Sequence, residues 1–317
     1  CDGDRLCRPA HIALRDEQFG VEQAAACRSA NGVVAQHHKF VVQERVGAQA
    51  TDNGCHARHA AGQPVEARLR AIFEECRPEV VVHLAARAGV RPSIREPNLY
   101  HRVNVIGSQH VLDACRDFRP SHLVFASSSS VYGGSTAVPF SESDPVMRPI
   151  SPYAATKRMN ELQAHVYSHL YGVRVTMLRF FTVYGPRQRP DMAIHKFTRA
   201  ILHGEPVPMF GDGSTRRDYT YIDDIIDGVV RCVDTPFDYE IFNLGEQRTT
   251  TLRDLIAIIE KAVGKAAVID RKPPQPGDVE ITYADISHAR ARLGYNPRFD
   301  MEEGVRRFVE WFRAQEQ

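Results

Sequence analysis

A doubly wound parallel α/β sheet, followed by a smaller C-terminal α/β domain, is the fold class this 317-residue sequence predicts. Three observations carry the expectation. Between Val65 and Gly185, apolar runs of strand length alternate with helix-length stretches at the spacing of βαβ units. The strand runs are continuously apolar, as strands covered on both faces are. After Gly185 the rhythm loosens into short elements, which marks a second, smaller body over residues 186–317.

The elements follow in order. Arg68 to Cys76 reads as a helix that ends at Arg77-Pro78, because a residue before proline leaves the helical region. Val80 to Leu84 reads as a buried parallel strand. Asn104 to Arg116 is helical, and Leu123 to Ser127 is a strand that runs into the serine cluster Ser127–Ser130. Pro152 to Tyr171 is helical, with proline suitably placed in its first turn. Val173 to Phe180 is again a strand. In the C-terminal part, helices are expected at Ile194 to His203, Thr251 to Val263 and, with an amphipathic pattern, Met301 to Phe312.

Bulk properties exclude several classes. Forty basic residues balance thirty-nine acidic ones, which argues against nucleic acid as the main partner. No apolar run reaches the length of a membrane span, and no N-terminal stretch has the pattern of a signal peptide. Seven cysteines, with no CxxC pair, fit reduced thiols and a cytoplasmic protein. The histidines and cysteines before residue 65 fit no closed zinc spacing, so no metal site is expected.

Chemistry concentrates at Tyr153 and Lys157, four residues apart at the start of a helix. A tyrosine has a pKa of about 10 and is a poor base at neutral pH. A lysine at i+4 shares its helix face and favours the phenolate. The serines that leave the preceding strand can hydrogen-bond a reacting oxygen. Isolated Tyr/Lys pairs also arise on solvated helix faces, and serine runs in turns; here the serines emerge from an apolar strand, at the sheet edge where α/β proteins bind ligands.

The sequence resembles the extended short-chain dehydrogenase/reductases, specifically the NAD-dependent sugar-nucleotide epimerases and dehydratases. The resemblance covers about residues 65 to 317 and is carried by His83–Ala86, Ala126–Gly133, Tyr153–Lys157, Arg179–Pro186, Arg216–Asp224 and Gln275–Asp278. Ala88–Arg91 and Arg189–Ala193 look most like UDP-glucuronate 4-epimerases. The resemblance implies a Rossmann-like NAD and catalytic domain over 65–185 and mainly a UDP-sugar domain over 186–317. It makes Ser128, Tyr153 and Lys157 the catalytic triad, with Lys157 lowering the pKa of Tyr153 and bonding the nicotinamide ribose. Ala85, Ala86, Asn104 and Ser127 fall on the cofactor side, Asn104 as a hydrogen-bonder rather than a catalytic group. His83 is a core residue or a contact at the cofactor edge. Ser130 and Thr182 fall in the sugar pocket, Arg217 on the diphosphate and Asp278 on the ribose. Arg91 and Arg187 are candidates for a sugar carboxylate. The alternative for Arg217 is a surface ion pair with Asp218 or Asp224. A homodimer through the helices at about 104–116 and 152–171 is also implied.

The reaction is narrowed at the serine cluster. Dehydratases of this family carry carboxylates after the catalytic Ser/Thr, and decarboxylating relatives a glutamate at the position of Ser130. Ser129 and Ser130 stand in those places, and a serine is no acid or base at neutral pH. The expected reaction is therefore inversion at C4 of UDP-glucuronate or a related UDP-hexose through a transient 4-keto sugar, with NAD as cofactor.

Residues 1–64 do not fit this picture. They hold four of the seven cysteines, two leucines and no Tyr, Trp or Met, and only Phe40-Val41-Val42 resembles a strand. The family opens with a strand, a GxxGxxG turn and a helix whose N-terminus receives the pyrophosphate. No trio among Gly3, Gly20, Gly32, Gly47, Gly54 and Gly62 has that spacing. Glu44 is a weak candidate for the acidic residue after the second strand. The segment has the length of the missing βαβ unit with the wrong content, as an out-of-frame translation of the gene start would give; a divergent N-terminus is the rival. Taken literally, the chain is then a pseudoenzyme that binds UDP-sugars without NAD.

Overall fold

The computed structural model describes residues 65–273 and 279–316, together with the backbone of Lys39–Val42. Asp278, Glu44 and the expected out-of-frame segment, apart from that one strand, lie outside the described residues.

The chain begins with strand β1 (Lys39–Val42), then helix α1 (Val65–Cys76) and strand β2 (Val80–His83). It crosses through α2 (Val90–Arg95), α3 (Pro97–Tyr100), a π-helical run at His101–Ile106 and α4 (Gly107–Phe118) to β3 (His122–Ala126). A 3₁₀ turn at Ser129–Tyr132 and the long α5 (Pro152–Tyr171) lead to β4 (Val175–Phe180). The chain then leaves the sheet as β5 (Thr182–Tyr184), α6 (Ala193–His203), β6 (Pro206–Phe210), β7 (Arg216–Arg217), β8 (Tyr219–Tyr221) and α7 (Ile222–Asp234). Strand β9 (Tyr239–Leu244) follows, then β10 (Thr250–Thr251), α8 (Leu252–Val263), β11 (Val268–Lys272), α9 (Ser287–Leu293) and α10 (Met301–Gln315).

The main sheet has the order β1-β2-β3-β4-β9 and is parallel throughout. Alternate side chains feed opposite faces. Val80, Val82 and Val124 enter one buried cluster with Ile225 and Phe242, while Val81, Leu123 and Phe125 enter another with Phe73 and Leu112. A third cluster joins α6, α8 and α10 in the C-terminal part. Because β9 returns to the main sheet, the chain after residue 186 contributes to both bodies.

Helix α5 carries the tyrosine–lysine pair, and local chemistry fixes its ends. The Ser151 hydroxyl accepts the N–H of Ala154 at 3.1 Å, Pro152 occupies the first turn, and Gly172 closes the helix in a left-handed conformation.

Strand order also locates β1. In a doubly wound sheet ordered 3-2-1-4-5-6, the run β1-β2-β3-β4 corresponds to strands 1-4-5-6. Lys39–Val42 therefore takes the seat of strand 1, whose outgoing turn carries the phosphate fingerprint. The residues that follow in sequence are Gln43, Glu44, Arg45, Val46 and Gly47.

Candidate active site

Strand β3 delivers the serine cluster to the C-terminal edge of the sheet. Its first member turns inward: Ser127 Oγ donates to Glu161 Oε1 at 2.7 Å. Glu161 is buried on α5 and receives Arg179 through Nε at 2.8 Å and Nη2 at 3.0 Å, and Arg158 at 2.9 Å. Burial alone would raise the Glu161 pKa, but the arginines and Ser127 hold it below the usual carboxylate range. Arg179 in turn donates to Tyr132 Oη at 2.9 Å, and Tyr132 to Asn243 Oδ1 at 2.7 Å. This network braces the underside of the serine turn. Ser127 is thus a brace, and its hydroxyl is not available on the cofactor side.

Ser128 faces the other way. Its hydroxyl caps the 3₁₀ turn by accepting the N–H of Ser130 at 3.2 Å, and it lies near enough to the Tyr153 phenol to pull that pKa down. Gly133 ends the turn at φ 63°, with Arg148 O only 2.4 Å from where a Cβ would lie, so a side chain there would force the turn apart.

Lys157 lies one helical turn beyond Tyr153, buried, and Nζ donates to Ala126 O at 2.8 Å. Burial pushes its pKa down to about 8, with Glu161 opposing. The phenol of Tyr153 is pushed up by burial; Ser128 and the field of Arg189 pull it down without offsetting the rise, and Tyr100 adds to it. The Lys157 ammonium is turned to the Ala126 carbonyl, and Arg189 is a further cation whose field reaches the phenol. The sequence marks Arg189 only as part of the Arg189–Ala193 motif and assigns it no role at the site, because an arginine in an irregular loop has no periodicity to place it.

A cavity of about 200 Å³ opens beside the turn, and Ser130, Thr182 and Arg217 line it together with Ser129, Ser151 and Thr282. Three of the expected substrate residues are thus brought together. Arg217 donates to Arg216 O at 2.8 Å. Of the carboxylates offered as its alternative partners, Asp218 takes the N–H groups of Glu246, Gln247 and Ala284, and Asp224 those of Arg298 and Phe299. Arg91, on α2, lies over the Phe210 ring at 5.5 Å, and Arg187 is exposed with left-handed backbone.

On the cofactor side, Ala85 and Ala86 follow β2. Asn104 is fully buried and clamps that loop: Oδ1 accepts Arg87 N at 2.8 Å, and Nδ2 reaches Arg87 O and Thr156 Oγ1. Its amide is spent on protein, so it positions the loop rather than touching a ligand. His83 bonds Ser108 at 3.0 Å, and burial pushes its pKa down to about 3, so the ring is neutral. Its Nδ1 is buried without a hydrogen-bond partner among the described residues. That orphan nitrogen and the buried Lys157 ammonium, which keeps donors beyond its bond to Ala126, fit the nicotinamide end of NAD.

No helix among the described residues is long and apolar enough to cross a membrane. Similarity to known proteins agrees with this geometry. A UDP-glucuronate 4-epimerase of Thermodesulfobacterium geofontis is 43% identical over 244 residues, 77% of this chain and 75% of that protein. The crystal structure of a UDP-glucose 4-epimerase from Thermotoga maritima with UDP-glucose superimposes with a TM-score of 0.77 at 35% identity, covering 80% and 83% of the two chains. That of a Bacillus cereus UDP-glucuronic acid 4-epimerase, in complex with UDP-glucuronic acid and NAD, gives 0.73 at 36% identity and covers 78% of each. The family match spans residues 33–245, so it begins inside the segment that the sequence set apart as anomalous. The chain belongs to the NAD dependent epimerase/dehydratase family.

Proposed function

We propose that this chain inverts C4 of a UDP-hexuronate, with UDP-glucuronate as the leading substrate and a related UDP-hexose as the alternative. The observation that carries the reading is the cavity lined by Ser130, Thr182 and Arg217 beside the turn from which Ser128 acts on the Tyr153 phenol. NAD, which His83 and Lys157 would hold at its nicotinamide end, would supply the hydride acceptor and donor for C4. Tyr153 takes the proton from the sugar 4-hydroxyl and gives it back after the flat keto sugar has turned over. Ser128 holds the same oxygen. The Lys157 ammonium and the Arg189 guanidinium stabilise negative charge as it develops on the phenol. Arg217 offers a planar fork to the diphosphate oxygens. Arg189, rather than Arg91 or Arg187, is the arginine whose field reaches Tyr153, and it suits a carboxylate on the sugar ring. Serines at 129 and 130 leave the turn without the acid–base pair that dehydration requires.

A second reading rests on the N-terminal segment. A phosphate needs close backbone approach, and no trio of glycines within residues 1–64 has the GxxGxxG spacing that provides it. In that case the chain binds UDP-sugar but holds NAD weakly. One experiment separates the readings: UDP-glucuronate is incubated with the full chain, with and without added NAD, and the products are separated by chromatography. UDP-galacturonate is expected. A decarboxylated UDP-pentose product overturns the epimerase reading; turnover that depends wholly on added NAD, or none with UDP-glucuronate still bound, selects the second.

A further inference from the structure

Away from the serine turn, a second cavity of about 250 Å³ opens where helices α8 and α10 begin. Glu246 forms part of its wall. This residue is only 9% exposed, and its Oε2 is buried without a hydrogen-bond partner among the described residues. The nearest cation to Oε1 is Arg248, at 3.8 Å, and that guanidinium is 72% exposed. The main-chain N–H of Glu246 is spent on Asp218 at 2.8 Å, which holds the backbone of the residue in the cavity wall. A buried carboxyl oxygen with no partner is costly in a protein interior. Nothing in the proposed epimerisation uses it.

The charge of the surroundings indicates what the oxygen would receive. Helix N-termini attract anions. Here both ends are already met: Thr251 accepts the N–H of Asp254 and Asp300 that of Glu303, with Asp254 and Glu302 in the first turns. Asp254, Asp300 and Glu302 line the cavity with Glu246, against Arg248 as the cation in its wall. No three acidic, histidine or cysteine side chains among the described residues converge as metal ligands. A larger cation with directional N–H donors suits the site better than a bare ion. Tyr219, Ile258 and Met301 add ring and aliphatic surface to the walls.

We propose that this cavity binds a small organic cation, a primary ammonium or guanidinium on a short aliphatic chain, with the Glu246 carboxylate as its counter-ion. The groups that face Glu246 from the packed elements are Asp218, Asp224 on α7, Asp300 at the start of α10, Arg248, and the phenols of Tyr184 and Tyr295. Burial and the neighbouring carboxylates push its pKa up to about 8, with Arg248 opposing. Below that pH the carboxyl is neutral, so an arriving cation forms the ion pair and releases one proton to solvent. Affinity therefore rises as pH rises through 8.

Agmatine, which carries both cationic groups, is titrated calorimetrically into the full chain at pH 7 and pH 8.5, at constant ionic strength. Saturable binding is expected, roughly eightfold tighter at the higher pH, the ratio of ionised Glu246 for a group titrating at about 8. Glu246→Gln keeps the shape, weakens binding about tenfold or more and abolishes the pH dependence. Arg248→Ala, at an exposed position, tightens binding because it removes the competing cation. The proposal is overturned if wild type shows no saturable binding, if Glu246→Gln binds as wild type does, or if Arg248→Ala weakens the site. It is equally overturned if inorganic phosphate binds there, since the helix N-termini would then set its preference.

Discussion

Lys157 and Tyr153 share one face of α5, yet different neighbours set their charges. Burial lowers the lysine to about 8 and raises the phenol. Lys157 is therefore a cation below pH 8 and loses its charge as pH rises through that value. If the ammonium supports the developing phenolate, kcat falls above pH 8. Stability moves the other way: between about pH 8 and 10 the unfolded chain binds the extra proton, so the folded state gains as pH rises. Tyr153→Phe is expected to lower kcat for UDP-glucuronate by about 10²–10⁴-fold, the usual worth of a positioned acid–base group. Its KM should stay within a few-fold of wild type. A variant that changed only KM would remove Tyr153 from the proton transfer. The i, i+4 spacing made this pair legible in the sequence. The inward turn of Ser127 was not, because it depends on Glu161, 34 residues away and unremarkable in its own helix.

At the scale of elements, the Glu161–Arg179 pair ties α5 to β4 directly beneath the serine turn. Both side chains are almost wholly buried and meet through two parallel N–H···O bonds. Removing one partner strands the other charge, which costs about 3–5 kcal/mol in comparable buried pairs. Glu161→Ala should lower unfolding free energy in urea by that amount; a loss below about 1 kcal/mol would show that the pair is incidental to stability. The double change Glu161→Met with Arg179→Leu, which leaves no stranded charge, should recover much of the loss. Helix bounds were legible where caps punctuate the sequence: Pro152–Tyr171 is found as expected, between Ser151 and Gly172. The helix expected from Asn104 instead begins earlier, and Asn104 sits in a π-helical run. Such a run follows from packing against the loop after β2 and has no residue signature. Strand β11 was illegible because its residues are mostly exposed and polar, and it is defined only by pairing with β6.

Among the described residues, the molecule leaves an apolar stripe uncovered along α5. Met159, Leu162, Val166 and Leu170 are exposed at intervals of three and four along α5, and Ile106 is exposed on the neighbouring π-helical run. The stripe lies opposite the face that holds Lys157, Asn160 and Ala164 in the interior, so the helix is apolar on two sides. A helix stripe of this kind is self-complementary: a two-fold axis across α5 sets it against its own copy, and both are covered at once. We propose a homodimer built on this contact, the second copy of the chain being the occupant. Sedimentation velocity at tens of micromolar protein should give a dimer. The double variant Leu162→Lys/Val166→Lys should give a monomer, since two ammonium groups would have to be buried beside their own symmetry mates. Both positions face away from the Ser128–Tyr153 pair, so the fold of the monomer should persist by circular dichroism. A wild-type chain that sediments as a monomer would leave the stripe without a partner of its own kind, and an undissociated variant would place the contact elsewhere.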